Sequence, residues 1–177
     1  MLNRNKILIG VFTLVVLMTS FVQAATTAVL SSPFYYRFSV DGILYEAGGL
    51  EGSSSPYFWL NSGAKLIISE GIGKTVQGEL LTNEKWRLIY ALSNPLDTDN
   101  GYHPQNVFRL LTRTRWQNVE EIMYFKITHD QLSFSPNRAA HNGLLIMSRY
   151  QDGNNLYYSG IRVDGNAIIK KKINGVY

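Results

Sequence analysis

The chain of 177 residues is 45% hydrophobic and 17% charged, which sets the expectation of one globular domain with room for a core. Lys and Arg number 17 against 13 Asp and Glu; without Arg4 and Lys6, which fall in the leader described next, the balance is 15 against 13, or +2. That is too little charge for a dedicated nucleic-acid binder, and the absence of cysteine excludes a disulfide framework, a thiolate zinc site and a cysteine nucleophile.

Residues 1–6 form a short basic stretch and residues 7–18 an uncharged apolar run, which ends in Val22-Gln23-Ala24 with small or slender residues where a signal peptidase reads. This is the layout of a signal peptide over residues 1–24, cleaved after Ala24, so the mature chain (residues 25–177) is expected to be exported, secreted or periplasmic, and bacterial. The alternative is an uncleaved anchor, but about a dozen apolar residues fall short of the roughly 20 that span a bilayer. No later segment is apolar enough to cross one, so no membrane association is expected after cleavage.

From residue 25 onward, aromatic and β-branched residues gather in short runs bounded by Gly, Asn, Asp, Ser and Pro. Strands are expected over 34–40, 43–47, 57–60, 65–69, 74–80, 107–116, 121–128, 144–151, 156–164 and 167–173. Asp41-Gly42, Asp152-Gly153 and Asp164-Gly165 supply turn positions with positive φ. Only 83–92 reads as helix, entered at Thr82 and stopped by Asn94-Pro95. Many short strands with turns between them predict an all-β fold, an antiparallel sandwich or barrel. Asn174-Gly175 is a strong hairpin signal followed by only Val176 and Tyr177. A two-residue stub leaves an edge uncovered, so the expectation is a fragment of a longer product, incomplete at its C-terminus; the alternative is a short edge.

Alternation separates faces. Over 107–116, Arg109, Leu111, Arg113 and Arg115 share one face and Phe108, Leu110, Thr112, Thr114 and Trp116 the other. By the same period, Tyr124 and Lys126 oppose Met123, Phe125 and Ile127, Tyr158 and Arg162 oppose Tyr157, Ile161 and Val163, and Lys170 and Lys172 oppose Ala167, Ile169 and Ile173. Phe108, Leu110, Phe125, Ile127, Ile146, Tyr157, Ile161 and Ile169 are therefore the expected core. The basic side chains and tyrosines make a surface suited to an anionic polysaccharide, because guanidinium forks bind carboxylates bidentately and aromatic rings offer flat platforms to sugars. The ligand-binding candidates are Arg109, Arg113, Tyr124, Lys126, Arg149, Tyr158, Arg162 and Lys170. An ordinary solvated sheet face, with Arg and Lys stems covering apolar neighbours, explains the same pattern without a ligand.

Asp97-Thr98-Asp99-Asn100-Gly101 places oxygen ligands at alternate positions, so Asp97 and Asp99 are candidates for calcium, although Asx turns account for them without metal. No other cofactor is indicated. Gly71-Ile72-Gly73-Lys74-Thr75 lacks the glycine spacing and following helix of a phosphate loop and reads as a turn. His103, His129 and His141 each lie beside loop-like sequence, and none adjoins a Gly-x-Ser-x-Gly elbow.

The stretch 142–165, with Ser148-Arg149-Tyr150, Asp152-Gly153-Asn154-Asn155 and Leu156-Tyr157-Tyr158, followed by Ala167-Ile168-Ile169-Lys170-Lys171-Lys172, resembles the central meander of the concanavalin A-like lectin/glucanase superfamily. Residues 107–177 fit that layout and 34–106 fit it loosely. The resemblance implies a jelly-roll β-sandwich with further strands beyond Tyr177. It says little about activity, since lectins, laminin-G-like modules, hydrolases and polysaccharide lyases share this superfamily's fold. The chain departs from the hydrolases in lacking a Glu-x-Asp-x-x-Glu strand: Glu120 and Glu121 are adjacent and point to opposite faces. Three functions follow as expectations: a secreted domain binding acidic, uronate-containing polysaccharide; a polyuronate lyase using His103, Gln105, Arg113 and Tyr158 for carboxylate neutralisation and proton transfer; or a non-catalytic envelope or adhesion domain.

Overall fold

Short β-branched and aromatic runs cannot each bury a face alone, so they pair. In the computed structural model, which describes residues 26–129 and 143–177, they do so in three antiparallel sheets. The expected signal peptide (1–24) and His141 lie outside the described residues. β1 (Gly42–Tyr45), β3 (Lys65–Ser69) and β4 (Ile72–Lys74) form the first sheet, in the order β1-β3-β4. β2 (Phe58–Ser62) pairs with β5 (Arg109–Thr112). β6 (Gly143–Asp152), β7 (Asn155–Arg162) and β8 (Ala167–Lys172) form a meander. Among the described residues the sheets are not closed, and helix is confined to α1 (Lys85–Ser93) and two 3-10 turns at Leu50–Gly52 and Pro104–Val107. The expectation of a largely antiparallel, β-rich chain with little helix holds at this level.

One apolar cluster ties the first two sheets together and a second packs helix α1 beside them. Leu44, Leu60 and Leu66 meet at the centre, with Phe38, Phe58, Ile68, Phe108 and Leu110 packed around them. Ala64, Val76, Leu80 and Tyr90 make the second, under Trp86 and Val107. Helix α1 supplies Tyr90 and Trp86 from one face, four residues apart. The helix starts later than expected because Glu84 is extended: its carboxylate takes the Leu81 N–H at 3.2 Å and Lys65 Nζ at 2.8 Å. The Lys65 hydrogen bond holds that carboxyl below the usual range. As expected, the helix ends at Asn94-Pro95, where the Asn94 N–H bonds the Tyr90 carbonyl at 3.0 Å.

Three expected strands are corrected. Residues 34–40 alternate in exposure but join no ladder, with Phe38 in the left-handed region at φ +51°, and 121–128 likewise enter no sheet. Residues 74–80 leave β4 at Lys74 and turn at Gly78, φ +74°, because Val76 and Leu80 are drawn onto Tyr90 rather than alternating across a sheet. The expected core is also revised. Phe125, Ile127, Tyr157, Ile161 and Ile169 are exposed, Ile169 by 87%, whereas Leu156 and Ile168 are buried. Alternation sorts residues into two sets correctly here, but the set chosen as inward on β7 and β8 is the outer one.

The loop 97–101 packs against α1. Asp99, Asn100 and Gly101 have φ of +49°, +55° and +82°, and Thr98 is fully buried with its hydroxyl on the Asn94 carbonyl at 2.6 Å. A Cβ on Gly101 would run into the Arg87 carbonyl and the Ala91 nitrogen, both fixed helix backbone. Gly101→Ala is therefore expected to lower the unfolding free energy by about 1–3 kcal/mol, the cost of a strained backbone position. A urea titration checks it, and an unchanged midpoint would show that the loop does not need the approach seen here.

Candidate cationic and aromatic site

The meander is set in register by Tyr158, which faces Met147 on β6 and Lys170 on β8, while Leu156 faces Lys172. Side chains directly opposite in an antiparallel pair lie about 4.5–5.5 Å apart at Cβ. One face of the sheet therefore carries Leu156, Tyr158, Ile168, Lys170 and Lys172, with the two aliphatic side chains buried as a floor. The Asn174-Gly175 turn, with φ of +49° and +81°, brings the chain back so that Ile173 bridges Val176. Tyr177 consequently lands on that face. Its ring meets Tyr158 edge to face, centroids 5.9 Å apart at 82°, and both Lys170 Nζ and Lys172 Nζ stand 4.9 Å from its centroid. Both ammonium groups are within cation–π reach of the one ring. Burial and then the neighbouring Tyr177 push the Tyr158 phenol up, so it stays a neutral donor at physiological pH.

The loop 152–155 steadies this group. Asp152 Oδ1 accepts from the Asn154 N–H at 2.7 Å and from Asn155 Nδ2 at 3.1 Å, and these bonds hold its carboxyl below the usual range. Lys172 Nζ donates to the Gly153 carbonyl at 3.1 Å, and the Asn174 N–H donates to Asn155 Oδ1 at 3.0 Å. Both turns at this end of the sheet are thus fastened to each other and to one of the lysines.

The other sequence candidates lie on other elements or at other positions of β6 and β7, Arg109 reaching the β6–β7 turn beside Gly153. Arg113 is 5% exposed, its Nη1 donates to the Ser55 carbonyl at 2.8 Å and its Nη2 lies 3.9 Å from Glu51. It is a buried clamp on the loop before β2, which corrects its assignment as an exposed carboxylate contact: β5 ends at Thr112, so strand alternation does not extend to Arg113. Arg109 is committed to Asn61 Oδ1 at 2.8 Å and the Tyr150 hydroxyl at 3.3 Å. That contact depends on a bulge in β6 between Ser148 and Asp152, where Arg149 takes φ +49° and stays exposed. Arg162 pairs with Asp164 at 2.5 Å across the β7–β8 turn. Tyr124 and Lys126 are exposed on the segment outside the sheets, and Tyr124 lies beside Tyr36, Arg37 and Phe38.

His103 is buried with Nδ1 2.8 Å from Asp99 Oδ2 and Nε2 3.7 Å from Glu79 Oε1. Gln105 Nε2 donates to the Gly78 carbonyl at 2.7 Å. His103 and Gln105 bond groups within 78–108, Arg113 bonds Ser55 and Tyr57, and Tyr158 meets β6, β8 and Tyr177. His129 is exposed. The Asp99 carboxylate is turned to His103, and among the described residues no group of three or more His, Asp or Glu could hold a metal ion.

Sequence reasoning named Tyr158 and Lys170 and missed Tyr177 as their partner. The signal was present in Asn174-Gly175, a type I′ turn that returns the chain onto the preceding strand. Among the described residues no helix is long and apolar enough to cross a membrane. No protein-family model, curated protein or solved structure matches this chain.

Proposed function

We propose that this chain is an exported carbohydrate-binding domain with a concanavalin A-like β-sandwich, and that it holds an acidic, uronate-containing polysaccharide on the Tyr158–Tyr177 face without cleaving it. The observation that carries the reading is the placement of Lys170 and Lys172, each 4.9 Å from the Tyr177 ring, above a floor of Leu156 and Ile168. A tyrosine pair offers the apolar face of a sugar ring a platform, and two ammonium groups at its edge meet the carboxylates that recur along a polyuronate. Binding is favoured over the lyase reading because His103, Gln105, Arg113 and Tyr158 hold partners in different parts of the fold. No cofactor is required for this role, and nucleic acid is disfavoured by the small net charge.

The test is retention of the full chain on immobilised polygalacturonate. Each lost charge-assisted contact is worth about 1.5 kcal/mol or more, and tenfold in affinity is about 1.4 kcal/mol. Lys170→Glu with Lys172→Glu is therefore expected to weaken binding by about 100-fold or more, and wild-type retention should fall as salt shortens the screening length to below about 8 Å. Equal retention of both proteins at all salt concentrations would reject the site. Release of an ultraviolet-absorbing unsaturated product from alginate, glucuronan or pectate would move the assignment to a lyase.

A further inference from the structure

Residues 34–40 carry a second feature that the Tyr158 face does not use. Phe34, Tyr36 and Phe38 turn inward and interlock with Tyr57, Phe58 and Trp116: Tyr36 meets Phe58 edge to face at 4.8 Å, Phe38 stacks on Phe58 at 6.3 Å, and Phe34 stacks on Trp116 at 6.4 Å. Tyr35 and Arg37 alternate outward and are exposed. Burial and then the neighbouring Tyr57 push the Tyr36 phenol up, so it too stays neutral. This segment lines two clefts. One, about 410 Å³, is lined by Tyr36, Arg37, Phe38, Gly71, Met123 and Tyr124 among others. The other, about 370 Å³, is lined by Phe34, Tyr35, Tyr36, Arg37 and Tyr57 among others. Both volumes fall within the range of about 300–1,000 Å³ usual for small-molecule sites.

Tyr36 and Arg37 line both clefts, and Arg37 is the one charged residue among the described residues that line either. A ligand there meets apolar rings and a single guanidinium. A neutral sugar would use the rings but gain nothing from that charge. A nucleic-acid strand would need a row of cations to match its phosphates. A pyranose with one carboxylate matches both the rings and the charge. Because the aromatic wall is already packed by its own ring contacts, little ordering is required when a ligand arrives.

We propose that the paired clefts around Arg37 form a second, ring-sized subsite for a uronate unit, with Arg37 on the carboxylate and Tyr36 and the flanking Tyr35 or Tyr124 against the sugar. This rests on the reading of the domain as an acidic-glycan binder and assigns to that function a site that recognises a single unit, where the lysine face engages the polymer. The probe is trigalacturonate, with maltotriose as the neutral control, titrated into the isotopically labelled full chain and followed by NMR. Wild type should show saturable shifts at residues 34–40 with trigalacturonate and none with maltotriose. Arg37→Ala, at an exposed position, should weaken that binding at least tenfold, Arg37→Lys should recover part of it, and Lys170→Glu with Lys172→Glu should change it less than twofold.

Trigalacturonate affinity unchanged by Arg37→Ala, with polymer retention still lost in the lysine variant, would overturn this subsite and leave the polysaccharide reading standing. Saturable, Arg37-dependent shifts in a protein that no polyuronate column retains would support the subsite and overturn the reading of the lysine face. Absence of binding by wild type to either probe would overturn both. Maltotriose binding as tightly as trigalacturonate, or displacement of trigalacturonate by a short single-stranded oligonucleotide at lower concentration, would overturn the uronate assignment.

Discussion

Leu60→Ala is expected to lower the unfolding free energy by about 2–5 kcal/mol, the range for large-to-small changes in a packed core. Leu60 is fully buried, pairs across the strand with Leu110, and packs with Leu44 and Leu66 of the neighbouring sheet. Its side chain is thus the point at which β2–β5 and β1–β3–β4 are held together. Truncation removes the transfer free energy and leaves a cavity between two sheets that are each pinned by their own ladders, which limits collapse. The matched control is Ile169→Ala: with Ile169 87% exposed, the change should stay within about 0.5 kcal/mol. Urea unfolding followed by tryptophan fluorescence gives both values. Similar losses for the two variants would mean that the core does not sit where these contacts place it.

Glu46→Ala should cost about 1–3 kcal/mol, and it should do so through groups on α1 and the β2–β3 turn. Glu46 Oε2 accepts from the Tyr90 hydroxyl at 2.6 Å and from the Ala64 N–H at 2.8 Å, while the Tyr90 oxygen accepts the Gly63 N–H at 2.9 Å. Removing the carboxylate leaves a buried hydroxyl and a buried amide short of an acceptor, and such orphaned groups carry most of the penalty. The same network sets an alkaline limit. Burial, and next the hydrogen bond to Glu46, push the Tyr90 phenol well above its ordinary value. A group whose folded pKa is raised contributes stability that is fully present below its unfolded pKa, about 10 for tyrosine, and lost as pH rises from there through the folded value. Wild-type stability should therefore fall above pH 10 more steeply than that of Tyr90→Phe, which has no proton to lose at this site. Identical slopes for the two proteins between pH 9 and 11 would contradict this role for the phenol.

Strand positions were legible where β-branched residues alternate between firm turn signals. Lys65–Ser69 was read with its bounds, and β6, β7 and β8 were each located to within a few residues. The direction of each face was not legible. On β8 both sets contain an isoleucine and lysines, and long lysine stems cover apolar surface as readily as they reach water, so the sequence offers no contrast between Ile168 and Ile169. Arg113 illustrates a different limit. Its alternation with Arg109 holds only while the strand lasts, and β5 ends at Thr112, after which the loop at 51–55 decides where the guanidinium goes. The stretch 121–128 has the period of a strand but joins no sheet, because pairing depends on a partner edge that local pattern does not specify. Of the candidate site, Tyr158 and Lys170 could be named from spacing, but their convergence with Lys172 and Tyr177 depended on the register of β7 against β8.

Lysine footprinting by mass spectrometry tests the proposed binding face most directly. The full chain is acylated briefly with and without saturating polygalacturonate, and each lysine is compared with Lys85, which is exposed on α1. If the polysaccharide lies on the Tyr158–Tyr177 face, Lys170 and Lys172 lose reactivity several-fold while Lys85 does not change. Equal labelling of Lys170 and Lys172 with and without polymer, or protection of Lys85 to the same degree, would contradict the site.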